Sequence, residues 1–401
     1  MSLLARTAVL LALATPLAAQ QVPNPLHIEQ VAPHQFALTW FGEMLRPYQI
    51  EGSADLSTWA DIGTPYVGSD EPLGDLQANT ALKYFYRLRE GAMRPGFDEV
   101  VLNRNDDKSY PYPASAAPVN IGFSVFFYGT TYTQCYVNNN GNITFGQELS
   151  KFTPDPLNLL SGIKIIAPFW ADVDTLNPDS DVVRFSGQVG EVDGHLAFGV
   201  TSRNVGYFNT WADKLNSFQM ILIDRSDEGE GDFDVEFNYN SILWETGDAS
   251  AGVFGYGGSP ARVGVSGGSG HCLEYQGSGQ TLAFLDADPA SGTPSYQSGL
   301  IYQTYNSNVP GRILIPFRGG VPPVSFTVDA GPDQQLDAAS GGAFDLAGST
   351  VPAPLADATY EWKQVEGSPE ATFSSKTVLN PTVTITEPGA FKFRLSATKP
   401  R

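Results

Sequence analysis

Ile165-Ile166-Ala167-Pro168-Phe169-Trp170-Ala171-Asp172-Val173-Asp174-Thr175 is the stretch on which the fold turns. An apolar run stops abruptly at two carboxylates spaced i, i+2, and on a strand both would point to one face. Alternation of period two recurs on either side of it. Val119, Ile121, Phe123, Val125 and Phe127 share a face opposite Asn120, Gly122 and Ser124. Phe233, Val235, Phe237 and Tyr239 alternate with Asp232, Asp234, Glu236 and Asn238. Such patterns belong to antiparallel sheets with one wet side. Asn140-Gly141 is a tight-turn signal between the runs at 132–137 and 143–145. Ser150 to Gly162, with Pro154 and Pro156, reads as a loop or short helical turn. The chain is predicted to be all-β and multidomain, with antiparallel β-sandwiches around a larger, β-rich central domain.

Bulk properties agree. Roughly 380 residues after a leader are too many for one β core and call for two or three domains. Gly 41 and Pro 29 with only 16% charged residues suit many short strands joined by tight turns. Residues 1–19 read as a signal peptide: Arg6, an apolar stretch from Ala8 to Ala14, and Ala18-Ala19 before Gln20. That stretch is far shorter than the ~20 residues that span a bilayer, and no second run approaches that length, so no membrane insertion is expected. A net charge of −20 argues against nucleic-acid partners, which need clustered Lys and Arg. The same acidity suits a secreted protein in solution and also suits calcium, a hard cation that takes oxygen ligands.

Three blocks, Val137-Asn138-Asn139-Asn140-Gly141-Asn142-Ile143-Thr144-Phe145-Gly146, Asn216 to Asp224, and Phe237-Asn238-Tyr239-Asn240 with Trp244-Glu245-Thr246-Gly247, flank the opening stretch. Taken together in chain order, they resemble the NIDO domain of nidogen, alpha-tectorin and mucin-4 type proteins. The resemblance runs from about Pro95 to Arg318 and sets a domain at 93–318. It implies a non-catalytic extracellular module for cell–matrix adhesion or assembly, acting on extracellular protein or glycan ligands. The alternative is a polysaccharide-binding accessory of a secreted hydrolase system.

Residues 20–92 alternate at Phe36, Leu38 and Trp40 and again at Tyr84, Tyr86 and Leu88. The early Trp40 and late Tyr84-Phe85-Tyr86-Arg87-Leu88 are similar to fibronectin type III sandwiches, and Tyr84 would be the corner-tying tyrosine. Gly319 to Pro323 is a linker by composition. Beyond it, Val328 to Gln334, Tyr360-Glu361-Trp362, Thr382 to Thr386 and Gly389 to Leu395 resemble a PKD or Ig-like domain at 324–401, with Phe391, Phe393 and Leu395 facing its core.

Catalytic constellations are scarce. Gly264-Val265-Ser266-Gly267-Gly268 matches the G-x-S-x-G string, but glycines and another strand follow where a helix is required. His27, His34, His195 and His271 form no zinc-ligand spacing. Neither a catalytic residue nor an organic cofactor is expected. Asp172 and Asp174 are the sharpest polar pair and carry two readings. They ligate calcium, with a loop carbonyl and Asp179 or Asp181 adding oxygens, or they hydrogen-bond turn backbone where the strand surfaces. Backbone capping is the preferred reading. The acidic run at 224–232 reads as a solvated hairpin tip, and Asp286 and Asp288 as turn residues. Asn142-Ile143-Thr144 is a glycosylation sequon. Tyr207, Phe208 and Trp211 are aromatics that would stack on a ligand or fill a core. In an exported chain Cys135 and Cys272 invite a disulfide, which strand alternation leaves open.

Overall fold

A computed structural model describes residues 26–81, 83–323, 327–335, 341–351 and 359–398. The candidate signal peptide lies outside the described residues. Among them, the chain is all-β, and its helical pieces are three 3-10 turns, Leu157–Leu159, Asp248–Ser250 and Leu300–Tyr302. The chain divides into two compact units, Met1–Pro322 and Pro323–Arg401.

The first unit opens with a small sandwich. In one sheet Gln35–Gly42 lies between His27–Ala32 and Glu71–Ala78, and in the other Pro47–Ser53 lies between Ala60–Val67 and Phe85–Glu90. Leu38, Trp40, Tyr48 and Ile50 fill the space between them, as the alternation requires. The hydroxyl that ties a corner belongs to Tyr48, which accepts the Glu43 N–H at 3.0 Å. Tyr84 instead packs its ring on Tyr86.

The larger sandwich follows. One sheet runs in the order Cys272–Glu274, Arg262–Ser266, Lys164–Trp170, Asn142–Phe145, Thr130–Asn138, Val119–Phe127. The backbone of the other runs Arg312–Phe317, Phe233–Ser241, Trp211–Asp224, His195–Tyr207, Val183–Phe185. Ile121, Val125, Phe127, Val137 and Ile143 meet Phe198, Phe218, Met220, Val235 and Phe237 in one core. The ladder at Lys164–Trp170 slips between Ala167 and Trp170. Ile166 and Phe169 therefore face the main core, whereas Ile165, Ala167 and Trp170 face a second one with Leu149, Leu157 and Leu160. Burial on both faces explains why this strand reads as a continuous apolar run. The segment at 150–162 is a loop containing one 3-10 turn, and it covers that outer face.

The predicted wet face is dry. Asp232, Asp234, Glu236 and Asn238 are all buried. The chain leaving the first sandwich crosses this face, with Phe97 packed on Ala197, Ile221 and Ile223. Arg94 grips Glu236 through two bonds of 2.7 and 2.9 Å, and Gln219 exchanges hydrogen bonds with the Arg94 backbone. Ala92 and Met93 are buried, and the Met93 N–H donates to Asn240. Gly319 and Gly320 are tied down as well: the Gly319 N–H donates to Asp232 and the Gly320 carbonyl accepts from Tyr128.

In the second unit Thr359–Glu366 pairs with Lys392–Thr398, and Gly342–Asp345 pairs with Thr382–Ile385. Trp362, Val383 and Leu395 are buried at its centre with Phe393 against them. Phe391 stacks on Phe393 at the edge of that core.

Candidate functional site

The two carboxylates of the opening stretch part company. Asp174 is fully buried. Its Oδ1 accepts the Leu176 N–H at 2.8 Å and its Oδ2 the Thr210 N–H at 2.9 Å. That is the backbone-capping role, performed across two loops. Asp172 is only 1% exposed, and its Oδ2 is buried with no hydrogen-bond partner. A side chain on Gly247 would collide with it, since an added Cβ would lie 2.5 Å from that oxygen.

Asp172 has different company from that expected. Asp181 turns to Val182 and Arg184, and Asp179 is exposed. Asp106 and Asp107 arrive instead, and one oxygen from each lies with one from Asp172 in a group spanning at most 4.8 Å. Their loop is clamped by Arg104, which donates to the carbonyls of Thr175, Asn177 and Ser180, each at 2.7 Å. Asn140 donates to Asp107 at 2.8 Å. Asp106 Oδ1 and Asn139 Oδ1 are further buried oxygens without partners. The Asn139 amide donates to the carbonyls of Asn105 and Val173, the chain neighbours of Asp106 and Asp172. Burial, then the surrounding carboxylates, pushes Asp172 up to about 8 and Asp106 up to about 7. The sequence carried Asp106-Asp107 in plain view, but no spacing links them to a residue 65 positions on; the Arg104 clamp and the Asn139 bridge do.

The other candidates resolve into structure. Ser266 is buried and donates to the Leu157 carbonyl at 2.9 Å. Cys135 and Cys272 are free thiols rather than a disulfide. They sit on opposite faces of one sheet, Cys135 in the main core and Cys272 against the second one. The sequon is buried, with Asn142 bonded to Asn138 and to the Asn140 carbonyl, so its amide is not presented to solvent. At 224–232 the hairpin carboxylates are held by cations: Arg225 and Arg318 bridge Glu228 and Asp234. Asp288 caps a turn through Ala290 and Ser291. Asp286 is buried, accepts the Ile242 N–H at 2.9 Å and is pushed up to about 7 by that burial.

Tyr207 is buried in the core while Trp211 lies half-exposed at its rim. Beside Trp211, Val253 and Phe254 stand 66% and 61% exposed. Trp211 and Phe254 meet edge to face at 6.0 Å. Phe254 and Gly255 are the central residues of a tight turn closed by Val253 and Tyr256, with φ of 52° and 86°. That geometry favours Asn or Gly in the first position, and an aromatic there is strained. A separate cleft of about 570 Å³ lies between the two sandwiches, but its arginines are committed to ion pairs, Arg89 with Asp61 and Arg94 with Glu236.

Residues 133–314 match the family model of the nidogen-like domain, NIDO. Over that stretch the central sandwich is similar to a nidogen-like domain. The chain is 32% identical over 218 residues to alpha-tectorin of Mus musculus and of Homo sapiens, covering 49% of this chain and 9% of those proteins. It is 33% identical over 196 residues to nidogen of Drosophila melanogaster, covering 42% of this chain and 14% of that protein. The matched stretch thus spans less than a fifth of these relatives' length. No solved structure matches the chain. Among the described residues no helix is long and apolar enough to cross a membrane.

Proposed function

We propose that this chain is an exported extracellular protein that takes part in matrix assembly or cell–matrix adhesion through its nidogen-like domain, without catalysis. The likeness to alpha-tectorin and nidogen supports the class. The flanking modules are read as a fibronectin-III-like sandwich at 20–92 and a PKD or Ig-like one at 324–401. In the first, support comes from its two sheets, which set His27–Ala32, Gln35–Gly42 and Glu71–Ala78 against Pro47–Ser53, Ala60–Val67 and Phe85–Glu90. In the last it comes from the buried Trp362.

The observation that carries the reading is Phe254, an exposed aromatic kept at a turn position that penalises it. Strain of this kind persists where the side chain has a use. With Val253 and Trp211 it makes a small rim of large apolar groups, the composition of a protein-binding anchor. The test is binding of the full chain to a panel of purified extracellular-matrix proteins, with and without Val253→Ser and Phe254→Ser. Loss of binding by a folded variant supports the proposal. Half-exposed Trp211 is also an aromatic of the kind that stacks on sugars, which supports the polysaccharide-accessory reading as second. A glycan array that responds while matrix proteins do not would select it.

A further inference from the structure

We propose that Asp106, Asp107 and Asp172 together hold one calcium ion. The three carboxylates offer oxygens within 4.8 Å of one another. Two oxygens that share a calcium at 2.3–2.6 Å lie no more than about 5 Å apart, and every pair in this group meets that bound. The independent sign is Asp172 itself, 1% exposed with Oδ2 buried and unpartnered. An ionised group so placed is costly unless a cation or hydrogen-bond donors face it. Asp106 adds a second buried oxygen in the same condition. Gly247 leaves room for the Asp172 carboxylate where any side chain would displace it.

The donor set selects the metal. Every ligand atom is a carboxylate oxygen, with neither imidazole nor thiolate in the group, which suits a hard cation rather than zinc. Asp106 and Asp107 are half-exposed, so water can complete the roughly six to eight oxygens calcium takes. Magnesium demands near-ideal octahedral geometry and gives up its waters reluctantly, so carboxylates brought together from two separate loops suit calcium better. Asp174 takes no part, because both its oxygens already accept backbone N–H groups.

The experiment uses the full chain stripped with a chelator, then titrated with calcium chloride by calorimetry and followed by thermal unfolding. The expected result is calcium binding with a rise in Tm of several degrees at saturation. Asp172→Asn and Asp106→Asn should each weaken that binding at least tenfold. Asp172→Asn should unfold, without calcium, at or above the wild-type temperature, since it replaces a buried carboxyl that no donor faces. Asp107→Asn, at a half-exposed position, provides a milder variant with a partial loss. No calcium response in wild type up to millimolar concentration would overturn the proposal. So would a response that survives in Asp172→Asn and Asp106→Asn, or an equal response to magnesium chloride.

Discussion

Two aspartates one residue apart do different work because different groups reach them. Asp174 meets the N–H groups of Leu176 and Thr210, and a charged acceptor for two backbone donors is stabilising. Asp174→Ala should therefore cost about 3 kcal/mol or more in urea unfolding, at roughly 1.5–3 kcal/mol for each hydrogen bond to a charged group. Its effect on the calcium affinity of the Asp172 group should be smaller than that of Asp172→Asn wherever the variant is folded. Asp286 supplies a pH prediction. Burial raises its folded-state pKa to about 7, above the ordinary 3.8. Its contribution is then fully present below the unfolded value and is lost as pH rises through the window from about 4 to 7. Asp286→Asn, which keeps an oxygen for the Ile242 N–H, should flatten the pH dependence of Tm in that window. An unchanged profile would remove Asp286 from the account. At this scale the sequence marked the Asp172–Asp174 pair and offered a capping and a calcium reading for both, and the hydrogen bonds give capping to Asp174 alone. It could not reveal Asp106, because alternation reports which face a residue is on and not which distant loop covers it.

Strands were legible as elements, while what lies on their outer faces was not. Phe233, Val235 and Phe237 point inward as their alternation requires. Their polar partners are buried because the chain at 92–97 crosses the sheet and carries its own counter-charge. Burial works to raise the pKa of Glu236, but Arg312 and the two bonds from Arg94 outweigh it and hold it below the ordinary value. Removing Arg94 leaves the buried Glu236 carboxylate only partly compensated, by Arg312 and Asn238. Arg94→Met should therefore destabilise the fold by about 3 kcal/mol, the low end for a broken buried pair. Glu236→Gln with Arg94→Met should recover part of that loss, and a double variant no better than the single one would show that the pairing matters little. The continuous run at 165–170 had the opposite history. Its buried second face is in the sequence as Ile165 and Trp170, and the slip between Ala167 and Trp170 is what let both Ile166 and Phe169 reach the main core.

For the whole molecule, the composition of Gly319 to Pro323 marked a boundary, and the division falls inside it at Pro322. The turn at Gly91 to Pro95 is different, since Ala92 and Met93 are buried and bonded to the large sandwich. Limited proteolysis should release a fragment ending near Pro322 and leave 91–95 intact, because cleavage follows exposed backbone with few contacts. Early cleavage at 91–95 would mean that the two sandwiches separate in solution. On the proposed function, the nidogen-like domain binds an extracellular protein through the Trp211, Val253 and Phe254 rim. Phe254→Asn isolates that rim, because it supplies the residue that the turn prefers. This variant should show an unchanged or higher Tm together with at least tenfold weaker binding to the matrix protein that wild type captures. Binding that is unchanged in a folded Phe254→Asn variant would contradict that proposal.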